Sequence, residues 1–495
     1  MQKQPHKNKI AKIGLGLLLC ALLVVYCFVP VLAEGSLYQP DFDVQAEAVY
    51  LVNGDSDLAV YQKNADTPLV MASLVKMMTC LVAIEKVQDL DAETVTAKQW
   101  VFDELYGKNA SNADIWKGET LTVRELLHAM LMPSANEAAL MLAEHVSGGY
   151  IPNFLYMMNS KAAALGCTGT TFADPNGLST DNITTARDMY LITKAFMANP
   201  VLVEIASSNS YEMAAHNHPA PYYIATTNRF LVASDPYAKK FNSIASSVVA
   251  GKTGSLGEWQ NFASKAVKDG VTYYCIVLNS PNAADALAAE KQYTQVRPAL
   301  YETGQLYEWV FANFSTRAAL DVSKPITEIR VKYSTETTTV RLMPESDLKT
   351  VLPNGANDNT IIKNFHLPEY LSAPLKQGEV VGTVTLVLEG QEIGTANLLV
   401  SQDVNRNWVL FGVQKIGEFF GTVAFKILLV VLVLAIAARV LWVARANKNK
   451  KQQAKATQRP PAQGAKPQLQ NQPKASGQPP RRPPQNKGRD DRDRR

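Results

Sequence analysis

Cysteine is scarce in this chain. The 495 residues hold five, and two of them, Cys20 and Cys27, fall in an apolar run near the start. Only Cys80, Cys167 and Cys275 remain, an odd and widely spaced set. That excludes a disulfide framework, and no CxxC pair or Cys/His cluster offers a metal site. The three read as small buried hydrophobes. A basic surplus is also missing where it would matter. The formal net charge is +4, but residues from Arg445 onward carry 15 Lys/Arg against 3 Asp. The first 33 residues add four lysines and no acid, so the middle is near −12. The basic balance belongs to the ends and gives no support to nucleic-acid binding by the folded part. Otherwise the composition is that of a globular protein, 47% hydrophobic and 19% charged, with length enough for two domains.

Long apolar runs are few, and the two present set the address. Ile13 to Ala33 follows a basic start and ends in Val31-Leu32-Ala33, small residues of the kind a signal peptidase cuts after. Residues 1–33 therefore read as a signal peptide, with an uncleaved N-terminal anchor as the alternative. The second run, 423–443, is long enough to span a bilayer. Arg439, Arg445, Lys448, Lys450 and Lys451 accompany its end, and positive flanks stay in the cytoplasm. The expected topology is an exported middle, one C-terminal transmembrane helix and a cytoplasmic tail. That tail, 445–495, is basic and Pro/Gln-rich; it cannot bury a core and reads as disordered.

Between the runs, "AEAVYLVNGDSDLAVYQKN" (47–64) predicts a hairpin across a polar turn. "TVRELLHAML" (122–131) predicts a helix with a Thr122/Glu125 capping box, stopped by Pro133. "SANEAALMLAEHV" (134–146) starts another, and "NFLYMMNSKAAAL" (153–165) a third that ends at Gly166. Three strands follow, 246–254, 261–270 and 271–280, with Asp269-Gly270 as a hairpin turn. A helix near 300–314 closes the region. This predicts an α+β domain, an antiparallel sheet with helices against it, over 34–316. From 320 to 413 the runs alternate as strands, predicting a small all-β sandwich.

The stretch "MASLVKMMTC" (71–80) reads as the start of a helix whose wall is apolar except for Lys76. Ser73 and Lys76 form an SxxK tetrad, and positions i and i+3 share a helix face. A serine hydroxyl attacks only when a neighbour takes its proton, and a lysine can do so only while neutral. Burial and a second cation nearby both favour the neutral amine. Alone, the tetrad is a common chance pattern, and a helix N-cap serine with a snorkelling lysine explains it equally well. Two further elements bear on it. Ser134-Ala135-Asn136 follows the Pro133 stop, where a turn can present a proton-relaying hydroxyl and an amide; its bland reading is helix capping. Lys252-Thr253-Gly254 lies at the end of a predicted strand, where Lys and Thr can grip a carboxylate and glycine lets a substrate backbone pair alongside. Its bland reading is a strand end with a turn glycine.

SxxK, SxN and KTG in this order resemble the penicillin-recognising serine acyl enzymes. With "DPNGLSTDNITTARDMYLITKAF" (174–196), "TTNRFL" (226–231) and "GKTGSLGEWQNFASKAV" (251–267), the chain from 45 to 314 is similar to the D-alanyl-D-alanine carboxypeptidases among the low-molecular-mass penicillin-binding proteins. The β domain resembles the C-terminal domain of that family. The resemblance implies a penicillin-binding/β-lactamase-like transpeptidase fold and a bacterial cell membrane location, with no cofactor and no metal. It implies Ser73 as acyl-ester nucleophile, Lys76 as general base and Ser134 as proton relay. Asn136 would hold substrate, Lys252, Thr253 and Gly254 would bind its terminal carboxylate, and the Ser255 N–H would serve the oxyanion with that of Ser73. Lys252 would also supply a second positive charge that helps keep Lys76 neutral. The implied partners are peptidoglycan stem peptides ending in D-Ala-D-Ala, β-lactam antibiotics and the membrane. Ser255-Leu256 departs from the family, where a bulky residue and a threonine often follow KTG, and so does a spanning anchor with a long basic tail. A β-lactamase, a transpeptidase and a non-catalytic wall-binding scaffold remain alternatives. The absence of a Glu-x-x-x-Asn element between Gly166 and Leu178 speaks against the first.

Overall fold

The computed structural model describes residues 39–289, 296–357 and 359–456. The expected signal peptide and the tail beyond residue 456 lie outside them.

Strand β1 (Ala48–Asn53) pairs antiparallel with β2 (Ala59–Lys63), as the hairpin pattern predicts. Its side chains alternate between two cores. Ala48, Tyr50 and Val52 enter one, and Val49 and Leu51 the other. A strand buried on both faces needs a continuous apolar run, which explains "AVYLV". Helix α1 (Val75–Lys86) is buried at every position from Val75 to Ala83. Apolar on all sides, it belongs in the interior rather than on a surface. Helix α2 (Val123–Leu131) carries the expected Thr122/Glu125 capping box. Helices α3 (Asn136–Ser147) and α4 (Ala186–Met197) join this layer, which contributes Leu126, Met141 and Met189 to the first core.

Strands β3 (Val248–Leu256), β4 (Trp259–Lys268) and β5 (Val271–Ser280) finish the sheet. Asp269 (φ +52°) and Gly270 (φ +78°) turn the chain between the last two, the two positive φ values that a tight hairpin requires. The order is β2-β1-β5-β4-β3, antiparallel throughout, so β3 is an edge strand. Helix α5 (Pro298–Asn313) covers the opposite face with Leu300, Leu306, Tyr307 and Val310. Cys80, Cys167 and Cys275 are free and buried.

The β domain begins earlier than expected. Strand β6 (Phe314–Leu320) follows α5 without a linker and pairs with β9 (Leu348–Pro353). Strands β7 (Thr327–Lys332), β8 (Thr339–Pro344), β10 (Ile362–His366), β11 (Leu371–Ser372), β12 (Val380–Leu388) and β13 (Gln391–Val400) form a six-stranded sheet. Leu320 and Leu352 from the small sheet share one core with Leu342, Val384 and Leu398 from the large one. Apolar residues facing inward from two sheets make the predicted sandwich.

The chain is helical from Trp408, so 408–413 does not belong to the β domain as expected. Residues Trp408–Arg495 form a separate unit. Its helix α6 (Trp408–Gly421) exposes Trp408, Val413, Ile416, Phe419 and Phe420. Thr422 then caps α7 (Val423–Ala456), its hydroxyl accepting from the Phe425 N–H at 3.2 Å. Among the described residues, only the Val423–Lys450 stretch of α7 is by itself long and apolar enough to cross a membrane. The helix continues past Arg445, where disorder was expected, because Lys, Gln and Ala favour helix even without an apolar face.

Candidate active site

Ser73 sits in the short 3-10 turn Ala72–Leu74, which runs directly into α1. Lys76 lies in the first turn of α1, so its amine returns to the serine and donates to Oγ at 2.9 Å. It also donates to Asn136 Oδ1 at 3.0 Å and to the Asn176 carbonyl. Lys76 is fully buried. Burial disfavours its ammonium form and holds its pKa down to about 7, while Asp174, Glu137 and Cys80 pull upward. The neutral amine has two N–H bonds and one lone pair. Carbonyl oxygens can only accept, so Asn136 and Asn176 take the two N–H bonds. Once the amine has lost the proton it donates to Ser73 Oγ, its lone pair takes that place and can accept the serine's own proton.

A second lysine–serine pair faces the first. Ser134 is buried in a left-handed conformation (φ +69°), between the end of α2 and the start of α3. Lys252, on β3, donates to Ser134 Oγ at 2.9 Å and to the Thr253 carbonyl at 2.8 Å. Burial first, and the Lys76 charge second, hold the Lys252 pKa well below the ordinary lysine value. Burial is thus the main reason that Lys76 gives up its proton, as its apolar neighbours predict.

The bland readings fail on geometry. Ser73 makes no capping bond, and Lys76 does not reach solvent. Ala135, not Ser134 or Asn136, is the N-cap of α3, with no side-chain cap. The Asn136 Nδ2 donates to the Ser111 carbonyl at 2.8 Å and its Oδ1 accepts from Lys76. These bonds let it orient the lysine.

Thr253 Oγ1 donates to Thr227 Oγ1 at 2.7 Å. Gly254 brings the strand against the nucleophile turn: a Cβ there would lie 3.0 Å from the Met71 carbonyl oxygen and 3.3 Å from the Leu74 nitrogen. Ser255 is exposed on the same edge strand.

Three residues that the motifs did not single out build the wall. The Asp174 carboxylate accepts from the N–H groups of Asn176 (3.1 Å), Gly177 (2.5 Å), Leu178 (3.0 Å) and Ser179 (2.6 Å). That folds 174–179 into a tight loop and aims the Asn176 carbonyl at Lys76. Gly177 (φ +87°) abuts the turn, where a Cβ would stand 2.3 Å from the Ala72 carbonyl oxygen. Thr79 Oγ1 ties the loop to α1 through the Pro175 carbonyl at 2.6 Å. Asp174 and Gly177 fall in the stretch 174–196 and Thr79 in the helix after the tetrad, but nothing local marks any of the three.

A serine within hydrogen-bond reach of a buried lysine, with a second buried lysine on an adjacent edge strand, defines a serine acyl-transfer site. Comparison with known proteins agrees. The family model "D-alanyl-D-alanine carboxypeptidase" matches residues 35–282, and "Penicillin-binding protein 5, C-terminal domain" matches 314–406. The D-alanyl-D-alanine carboxypeptidase DacA of Haemophilus influenzae is 28% identical over 73% of this chain and 86% of its own. DacC of Escherichia coli is 27% identical over 81% and 96%. The crystal structure of penicillin binding protein 5 from Haemophilus influenzae aligns with a TM-score of 0.52 at 26% identity, covering 74% of this chain and 99% of that one. The chain belongs to the D-alanyl-D-alanine carboxypeptidase family.

Proposed function

We propose that the protein removes the terminal D-alanine from peptidoglycan stem peptides through a Ser73 acyl-enzyme. The observation that carries this is the fully buried Lys76 amine 2.9 Å from Ser73 Oγ, with carbonyl oxygens as its other two partners. Ser73 attacks the carbonyl carbon of the penultimate D-alanine as Lys76 takes its proton. The C–N bond to the terminal D-alanine breaks, and Ser134, held by Lys252, relays the proton to the departing amine. Lys252 and Thr253 hold the terminal carboxylate, and the N–H groups of Ser73 and Ser255 receive the oxyanion. Removing one such donor typically costs about 10²–10³ in rate. Water then adds to the acyl carbon and Ser73 leaves with a proton. A β-lactam, whose strained amide mimics the same carbonyl, acylates Ser73.

Helix α7 is the membrane anchor in this reading. The catalytic domain lies outside the cytoplasm of a bacterial cell and the basic tail inside it. The tail carries a stop-transfer flank rather than a specific lipid site.

A fluorescent penicillin tests the chemistry: it labels the wild-type protein covalently and leaves Ser73→Ala dark. Serine-independent labelling, or none, rejects the reading. Release of D-alanine from a pentapeptide without a cross-linked product separates carboxypeptidase from transpeptidase, and rapid penicillin turnover would indicate a β-lactamase. Protease added to intact cells spares the tail beyond Arg445; clipping there reverses the topology.

A further inference from the structure

The edge strand sets the direction of a bound peptide. Its terminal carboxylate is held at Lys252 and Thr253, on the carboxypeptidase reading above. The reacting carbonyl is at Ser73, whose turn abuts Gly254. The preceding residue of the peptide must therefore lie further along β3, at the level of Leu256, since strand residues advance by about 3.3 Å each. Lys252, Gly254 and Leu256 alternate onto one face of the strand. The first meets Ser134 and the second meets the nucleophile turn. The third lines an open cavity of about 300 Å³ together with Val70, Thr180, Asn261 and Asn279.

This cavity is built. Asn261 donates from Nδ2 to the Val70 carbonyl at 3.1 Å, and its Oδ1 accepts from the Asn279 N–H at 2.7 Å. Asn279 takes a left-handed conformation (φ +52°), which asparagine tolerates. The two asparagines thus fix the floor three residues before Ser73. The walls are Val70 and Leu256 on the apolar side, and Thr180, Asn261 and Asn279 on the polar side. No lining residue is ionised.

We propose that this cavity is a specificity pocket for the side chain of the residue preceding D-Ala-D-Ala. It selects an aliphatic stem ended by an uncharged hydrogen-bonding group. Leu256 and Val70 bury the stem, while the Thr180 hydroxyl receives the end above the floor that Asn261 and Asn279 hold in place. A side chain ended by a free carboxylate finds no cation there and loses its hydration without compensation.

The test uses the purified full-length protein in detergent and three acetylated tripeptides ending in D-Ala-D-Ala. Their first residue is glycine, Nε-acetyl-lysine, or a residue of similar length ended by a carboxylate. Each is read twice, by D-alanine release and by how far it slows labelling with fluorescent penicillin. The acetyl-lysine peptide is expected to exceed both others about tenfold in kcat/KM and in competition, the effect of burying roughly two methylenes. Leu256→Trp, which fills the cavity, reduces that preference to about twofold while penicillin labelling persists; Thr180→Val weakens it without filling the space. Equal competition by the glycine and acetyl-lysine peptides overturns the proposal, as does a preference that survives Leu256→Trp. Unequal competition without any D-alanine release supports the pocket and overturns the carboxypeptidase reading instead.

Discussion

Lys252 donates a hydrogen bond to Ser134 Oγ over 2.9 Å, joining an edge strand to a turn 118 residues earlier in the chain. The bond holds the hydroxyl beside the Lys252 amine, so Ser134 is fixed where it can pass a proton to a departing amine. Ser134→Ala is expected to lower kcat by about 10²–10³, within the range for a lost proton-transfer group. KM should change little, because Ser134 does not grip the carboxylate. Steady-state D-alanine release separates the two constants; a change confined to KM would remove Ser134 from the proton path.

The pH profile should report Lys76. It accepts the Ser73 proton only when neutral, and burial holds its pKa down to about 7. The rate constant for penicillin acylation should therefore rise with pH through about 7 and level above it. Below that point it falls about tenfold per pH unit, as for any essential base. A flat profile between pH 5 and 8 would rule out Lys76 as the base.

The same burial links stability to pH. The unfolded chain holds the Lys76 proton up to the ordinary lysine pKa, whereas the folded protein releases it near 7. Between those values the unfolded state binds more protons, so raising the pH stabilises the wild type. Lys76→Met has no such group. Its stability relative to the wild type should fall as pH rises from 7 to 10, by up to about 1.4 kcal/mol per unit. Denaturant unfolding of both proteins across that window measures the difference; parallel curves would show that the lysine keeps its proton when folded.

Gly177→Ala combines a backbone at φ +87° with a Cβ placed 2.3 Å from the Ala72 carbonyl oxygen. The left-handed conformation alone costs roughly 1–2 kcal/mol for a residue with a side chain. The clash adds to this and pushes the Ser73 turn out of place. The melting temperature should drop and acylation should slow together. Gly257→Ala, also at positive φ but with open space around it, should lose stability alone.

Asp174→Asn replaces an acceptor of four backbone N–H groups with an amide that presents a donor to some of them. Stability should fall by about 2 kcal/mol, the scale of buried donors left without acceptors. The Asn176 carbonyl would no longer be aimed at Lys76, so acylation should slow as well. Thermal unfolding and the labelling rate check both effects; unchanged labelling would confine Asp174 to a structural role.

Much of the site is legible in the sequence. Ser73, Lys76, Ser134, Lys252 and Thr253 announce themselves by local spacing, because each motif sits at the start, stop or edge of an element with its own sequence signal. Asp174, Asn176, Gly177 and Thr227 are not legible there. Asp174 acts through backbone N–H groups, Asn176 through its carbonyl and Gly177 through the absence of a side chain. None of these roles depends on a residue pattern that a single sequence displays. Domain limits slipped for a similar reason. Phe314 opens a strand straight after a helix, and no turn residue marks the change.

The sequence by itself determined the apolar strands, the capped helices, the spanning segment and the three motifs, because these depend on spacing of two to four residues. Only the tertiary structure decided how far the Lys76 pKa falls, to about 7. Its burial comes from α3, β3 and the 174–179 loop closing around α1, and the orientation of its lone pair comes from two carbonyls 60 and 100 residues away. A pKa is set by everything around the group, and most of what surrounds Lys76 is distant in the chain.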